Sequence, residues 1–261
     1  MKTFNYHTAK DSKEAKKLSS SNSAFLAGGM TTIPSMKLGL ATYKDIIDIK
    51  NIKQLSGINV SGKSIKIGAT TKHTEVANSK EIKKAIPSLS SLAEGIGDPQ
   101  VRNRGTIGGS IANNDPSADY PSACLALNAV IHTNERKIEA SNFFKGMFET
   151  ALKKGELIET VEFQIPEKSS YQKHPNPASR YAIVGVYVAK HKSAVNVAIT
   201  GAKPCVYFDK DLAKALELSF SSNSISGMQV NSSNMNSDIH ASAEYRASLV
   251  VTQAKKAVEA C

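Results

Sequence analysis

Two short segments carry the residues best suited to chemistry. Ala27-Gly28-Gly29-Met30-Thr31-Thr32 and Thr106-Ile107-Gly108-Gly109-Ser110 each set two adjacent glycines beside hydroxyl residues. Glycine lets a backbone approach a ligand closely and tolerates positive φ. Successive N–H groups can then form an anion-binding nest, to which Thr31, Thr32, Thr106 and Ser110 add hydroxyl donors. Two such loops meeting in space could cradle a diphosphate. Each read alone is also an ordinary tight turn. A side chain at Gly28 or Gly109 would fill space that a diphosphate needs. Neither G-x-G-x-x-G nor G-x-x-x-x-G-K-[ST] occurs, which disfavours a Rossmann fingerprint and a P-loop.

Other chemistry is sparse. Cys124, Cys205 and Cys261 lie far apart without a C-x-x-C, so no iron–sulfur or zinc ligand set is expected. An odd, low cysteine count argues against a disulfide framework and fits a reducing, cytoplasmic location. His7, His73, His132, His174, His191 and His240 show no metal-ligand spacing. The net charge of +10, from 33 Lys+Arg against 23 Asp+Glu, suits nucleic acid, an anionic cofactor or an acidic partner. The clusters Lys16-Lys17 and Lys153-Lys154 are short and Trp is absent, so a solvated surface is favoured over a nucleic-acid site. No apolar run approaches the ~18 residues of a membrane span. The polar N-terminus predicts no secretory signal.

The elements that must position the two segments follow from pattern. Strands are predicted at 4–7, 23–27 and 43–49 and a helix at 12–18, a small β-α-β arrangement with the first glycine pair after a strand. Residues 57–68 alternate around a turn as a hairpin. A helix starts at Thr74 and a helical pattern from Glu81 ends at Pro87. Leu89, Leu92 and Ile96 recur at helical spacing, and 97–100 is a turn. The second glycine pair reads as a loop, Asn113 to Pro116 as a turn, and Tyr120 to Leu127 as an apolar helix. Strands follow at 129–133 and 158–163 with a packed loop at 143–148 between them. A connector spans 166–180. Two strands, 181–190 and 194–201, and helices near 212–218 and 243–260 complete an α+β chain.

The segments LAGGMTTIPSMKLGLA and IGDPQVRNRGTIGGSIANNDPSADYPSACLALNA resemble the FAD-binding medium subunits of the molybdenum hydroxylases, those of aerobic carbon monoxide dehydrogenase above all. The resemblance continues through FFKGMFETAL, NPASRYAIVGVYVA and MNSDIHASAEYRASLV, nearly the whole chain. It implies a vanillyl-alcohol-oxidase-like (PCMH-type) FAD domain at 1–170, with subdomains at about 1–55 and 56–170. A C-terminal domain of small antiparallel sheet plus helices would occupy 171–261. Ala27, Gly28, Gly29, Met30, Thr31 and Thr32 match the family's first diphosphate loop, with Thr31 in place of the usual Ser. Thr106, Ile107, Gly108, Gly109 and Ser110 match the second, with Ser110 where Asn is common. Asp119 matches an acid that contacts the cofactor, through a hydroxyl or N–H rather than a phosphate; on its own it also reads as a helix N-cap. Ile158 matches an aliphatic residue against the flavin, and is otherwise core. Tyr181 matches an aromatic beside the isoalloxazine, and is otherwise a buried strand tyrosine. Lys173 is the loosest match, a solvated lysine by default. Gly39 stands where relatives carry Arg.

The function implied is electron transfer. A large subunit would hold the molybdenum cofactor and a small one two [2Fe–2S] clusters, in a heterotrimer that dimerises. FAD here would take electrons from the clusters and deliver them to an external acceptor. No catalytic side chain, metal site, nucleic-acid partner or membrane span is expected in this chain, any membrane contact being made through the complex. The alternatives are a medium subunit of a xanthine, aldehyde or aromatic-acid dehydrogenase, a stand-alone flavoprotein oxidase, or a basic binding protein without flavin. An oxidase needs a general base beside the flavin, and the short C-terminal part shows none.

Overall fold

The computed structural model describes all 261 residues, Met1–Cys261. The N-terminal unit comprises β1 (Asn5–Thr8), α1 (Ser12–Leu18), β2 (Ser23–Leu26), α2 (Thr32–Lys37) and β3 (Asp45–Asp48). Asp11 starts α1 by accepting from the Glu14 N–H at 2.8 Å. β3 lies between β1 and β2 and runs parallel to both. The β-α-β expectation therefore stands, with the third strand inserted between the first two. Ala15, Ile47, Ile52 and Leu55 form a small core under this sheet.

The middle unit begins with a hairpin, β4 (Ile58–Ser61) and β5 (Ser64–Gly68). Six short helices follow: α3 (His73–Asn78), α4 (Lys80–Ala85), α5 (Pro87–Glu94), α6 (Pro99–Arg102), α7 (Ile107–Asn113) and α8 (Tyr120–Ala126). Then come β6 (Val130–Thr133), β7 (Lys137–Glu139), α9 (Ala140–Phe143), β8 (Phe144–Gly146), β9 (Glu149–Thr150) and β10 (Ile158–Gln164). The antiparallel sheet runs β4-β5-β10-β6-β7. Its inward residues Ile65, Ile67, Ile131, Val161 and Phe163 join the apolar faces of the helices in the largest core. Three local readings change. Pro87 opens α5 instead of only closing the preceding helix, because its missing N–H costs nothing at a first helical position. The turn at 97–100 runs into α6, whose N-cap Asp98 accepts from Val101 N–H at 2.8 Å. The segment 143–148 is a helix end and a two-stranded ribbon, β8 against β9, rather than a loop.

The C-terminal unit is the antiparallel sheet β11 (Lys168–Pro175), β12 (Ala182–Lys190), β13 (Val195–Thr200) and β14 (Tyr207–Phe208), in that order. α10 (Lys210–Leu218) and α11 (Ala243–Glu259) contact this sheet, and so do α5 and α8 from the middle unit. β12 is buried along Ala182–Ala189, as a strand covered on both faces must be. The connector expected over 166–180 is mostly β11, paired with β12 from Lys168 onward, and it straddles the boundary expected at 170. β11 is polar because alternate residues bond across to the middle unit. Ser169 meets Ser88 at 2.7 Å, while Tyr171 and Lys173 reach Asp119. No helix is long and apolar enough to cross a membrane.

Glu156 closes the turn before β10. It is 3% exposed and accepts from Arg136 Nε at 2.9 Å, Thr133 Oγ1 at 2.8 Å and Lys153 N–H at 2.8 Å. Burial alone would raise its pKa; the bonds from Arg136, Lys153 and Thr133 outweigh burial and hold it at about 2, against 4.5. A depressed carboxylate pKa stabilises the fold fully above the unfolded value. That stabilisation fades as pH falls from 4.5 toward 2. The shift corresponds to about 3 kcal/mol. Glu156→Gln is therefore expected to lose stability of that order at pH 7, and to show a weaker drop between pH 5 and 2.5. Denaturant melts of both proteins across this range check it; parallel pH curves would contradict it.

Candidate functional site

A cleft of about 230 Å³ opens where the three units meet. The loop after β2 forms one side, α6 and α7 the floor, the 115–119 turn another side, and residues 179–181 the rim. Each wall has a local cause. β2 ends at Leu26, and Gly29 turns the chain with φ +75°. A Cβ at Gly28 would lie 2.1 Å from the Arg104 carbonyl oxygen, so only glycine lets this loop rest on the 104–105 backbone. The loop's carbonyls are used: Gly29 and Thr31 accept from Ile33 and Ser35 as α2 begins. Its donors are not. The amides of Ala27, Gly28, Gly29, Met30 and Thr31 have no acceptor in the protein. Five consecutive unpaired donors beside a cleft are rare in a folded chain and suit an anion.

The second glycine pair is built differently. It is the first turn of α7 and not a loop, with Thr106 as N-cap. Its amides are already taken. Ile107 N–H donates to Thr71 O at 3.1 Å, Gly108 to Ala69 O at 2.9 Å, Gly109 to Thr106 Oγ1 at 3.2 Å and Ser110 to Thr106 O at 3.0 Å. Gly108 is a packing glycine, since a Cβ there would lie 2.5 Å from Ala69 Cβ. Gly109 lines the cleft, and a Cβ there would meet only Thr106 Oγ1 within 4 Å. The two segments do meet in space, but one supplies free donors and the other supplies floor.

Asp119 lines the cleft and is 4% exposed. It starts α8 without a side-chain cap, so the N-cap reading fails. Its carboxylate instead accepts from Tyr171 Oη and pairs with Lys173 Nζ at 3.0 Å. Burial raises its pKa, and Lys173 and Tyr171 oppose the rise. Lys173 is not solvated: its ammonium also donates to Gly95 O and Arg180 O, both at 2.9 Å. It stands behind the wall, not on the cleft lining. Tyr181 is 44% exposed on the rim, which removes the buried-strand alternative.

Of the other expected residues, Gly28, Gly29, Met30, Thr31, Thr106 and Ser110 line the cleft, whereas Ala27, Thr32, Ile107 and Ile158 do not. Ala27 packs against the N-terminal core and Thr32 is the first residue of α2. Ile107 and Ile158 are buried in the main core. Sequence reasoning missed His73, Asp115 and Arg180 on the lining. His73 is buried, its Nδ1 has no partner, and its ring packs 5.4 Å from that of Tyr120. Burial and then Arg102 push its pKa down to about 4, so it is neutral at pH 7. Its one available signal is its place in the Thr-Lys-His-Thr run at the start of α3. Asp115 sat inside the Asn-Asn-Asp-Pro turn, and nothing local marks Arg180.

The chain has relatives. The model for the FAD binding domain in molybdopterin dehydrogenase matches residues 2–167. The chain is 36% identical over 194 residues to the glyceraldehyde dehydrogenase medium chain of Sulfolobus acidocaldarius, covering 71% of this chain and 69% of that one. It is 34% identical over 218 residues to the carbon monoxide dehydrogenase medium chain of Hydrogenophaga pseudoflava, covering 77% and 75%. The solved structure of reconstituted CO dehydrogenase from Oligotropha carboxidovorans superposes with a TM-score of 0.91 at 26% identity, over 99% of this chain and 97% of that one. The fold is the α+β architecture of that solved chain, and the cofactor is FAD. With the family match spanning the N-terminal and middle units that build most of the cleft, the chain belongs to the FAD-binding domains of the molybdopterin dehydrogenases.

Proposed function

We propose that this chain is the FAD-carrying electron-transfer subunit of a molybdenum hydroxylase complex, and that FAD lies in the cleft where the three units meet. The observation that carries the reading is the run of five unpaired amides from Ala27 to Thr31. Two further features fit the cofactor: the open floor over Gly109 and the partnerless, buried Nδ1 of His73. In this reading the loop amides and the Thr31 and Ser110 hydroxyls hold the diphosphate. Tyr181 lies against the isoalloxazine and screens it from water. Ile107, Gly108 and Ile158 act from behind, by setting the floor. Asp119 and Lys173 fix the side wall. Bound FAD supplies the redox chemistry, which no side chain here replaces.

The partners in this reading are a small subunit with [2Fe–2S] clusters and a large subunit with the molybdenum cofactor, in a dimerised heterotrimer in the cytoplasm. The relatives include chains of carbon monoxide dehydrogenase, glyceraldehyde dehydrogenase and nicotine 6-hydroxylase. A carbon monoxide dehydrogenase-like complex is the first reading and an aldehyde dehydrogenase complex the second. The large subunit would choose between them. In this reading the FAD domain covers 1–167 and the C-terminal domain 168–261, a boundary supported by the pairing of β11 within the second sheet.

Two measurements test this. Gly109→Val is expected to lower the FAD-to-protein ratio at least tenfold while its melting curve stays near wild type, since the site is exposed. Gly28→Val is expected to destabilise the fold itself through the clash with Arg104 O. A full FAD complement in Gly109→Val contradicts the cleft assignment. Secondly, the isolated flavoprotein is expected to stay oxidised with carbon monoxide or glyceraldehyde, and to be reduced when the cluster-bearing subunit and a reductant are added. Substrate-driven bleaching of the flavin's visible absorbance by the chain alone would support an oxidase instead.

A further inference from the structure

One residue on the cleft rim holds a backbone conformation that its type disfavours. Arg180 has φ +63°, in the left-handed region that long side chains seldom adopt. The fold clamps it there at three points. Its N–H donates to Asn176 O at 2.8 Å, its carbonyl accepts from Lys173 Nζ at 2.9 Å, and its Nη1 donates to Gly97 O at 2.9 Å. The Asn176 N–H donates to Tyr181 O at 2.8 Å and closes the loop. Strain that is over-determined in this way marks a position where the side chain's placement matters.

The charge environment is specific. Arg180 is the only Lys or Arg among the residues lining the cleft, against the carboxylates Asp115 and Asp119. Asp119 is already paired with Lys173, and no ion pair joins Arg180 to either acid. Four of its five guanidinium donors have no protein partner. A series of contacts along the wall joins it to the amide loop. Gly28 rests on Arg104–Gly105, Gly105 N–H donates to Val101 O at 2.7 Å, Val101 packs on Gly97, and Arg180 bonds Gly97. Arg180 thus neighbours Tyr181 in the chain, and its guanidinium is anchored to Gly97 with no hydrogen bond to the amide loop.

We infer that Arg180 is a charge-positioning residue for the flavin ring: clamped beside Tyr181, its guanidinium stabilises the reduced, anionic isoalloxazine over the oxidised, neutral one. Two electrons and one proton added to a neutral flavin leave one negative charge on the ring. The electrons come from the reductant of the complex and the proton from solvent. A fixed cation nearby favours that product. The inference rests on FAD occupying this cleft.

The test uses FAD-loaded protein with Arg180→Asn, which removes the charge and tolerates positive φ, and Arg180→Lys, which keeps the charge. Kd is measured anaerobically for oxidised and for reduced FAD, so a weakened variant still reports, and the midpoint potential is read against a reference dye. Arg180→Asn is expected to weaken reduced FAD about 10- to 100-fold more than oxidised FAD. That lowers the potential by ~30–60 mV for a two-electron couple. Arg180→Lys is expected to keep most of the native potential. Equal weakening of both redox forms by Arg180→Asn, or no change in either, overturns the inference and leaves Arg180 a diphosphate contact or a loop clamp. If Gly109→Val retains its FAD, the cleft assignment fails instead, whatever the potential of the Arg180 variants.

Discussion

The ammonium of Lys173 is the point on which the cleft depends. It reaches Asp119, the Gly95 carbonyl at the end of α5 and the Arg180 carbonyl on the rim, and so ties the 115–119 side and the rim to the end of α5 with one charge. A carboxylate as buried as Asp119 is tolerated only when paired and hydrogen-bonded. Tyr171 supplies the remaining bond, and it fits because residue 185 is glycine: a Cβ there would lie 2.3 Å from Tyr171 Oη. The 115–119 turn is also written onto the C-terminal sheet. Thr200 Oγ1 donates to Pro116 O and Ala118 O, Gly201 N–H to Pro116 O, and Ala182 N–H to Ser117 O. The cleft is thus a product of the whole chain, although the N-terminal and middle units form most of it.

This arrangement explains why two similar glycine pairs do different work. The first pair lies between a strand end and a short helix, where nothing in the protein reaches its amides. The second lies against the segment after β5, whose Ala69 and Thr71 carbonyls take up Gly108 and Ile107. Donors left free on one side and space left open on the other are complementary requirements for an extended anionic cofactor. The neutral His73 and the exposed Tyr181 also line the cleft.

Much of the architecture was legible locally. The alternation at 57–68, the apolar Tyr120–Ala126 helix and the long strand at 182–190 follow from residue pattern alone. The contents of the site were less so. Whether the Gly109 amide is free depends on Thr106, and whether the Gly108 amide is free depends on a carbonyl about 40 residues away, which no local signal reports. β11 was hidden because its residues Lys-Ser-Ser-Tyr-Gln-Lys-His carry the polar bonds that join two units. Lys173 resembled a solvated lysine for the same reason: its three acceptors are distant in sequence or on an adjacent loop. Arg180 takes its conformation from those neighbours, so its type alone predicts the opposite.

The central claim is that backbone amides of the first loop, and not those of the second, hold the cofactor's diphosphate. Amide hydrogen exchange on the FAD-free and FAD-loaded chain reads this directly, since unpaired N–H groups exchange freely until an acceptor covers them. The account predicts new protection on FAD binding at Ala27 to Thr31, with Ile107 to Ser110 protected alike in both forms. Protection gained at Ile107 to Ser110 while Ala27 to Thr31 continue to exchange freely would contradict it.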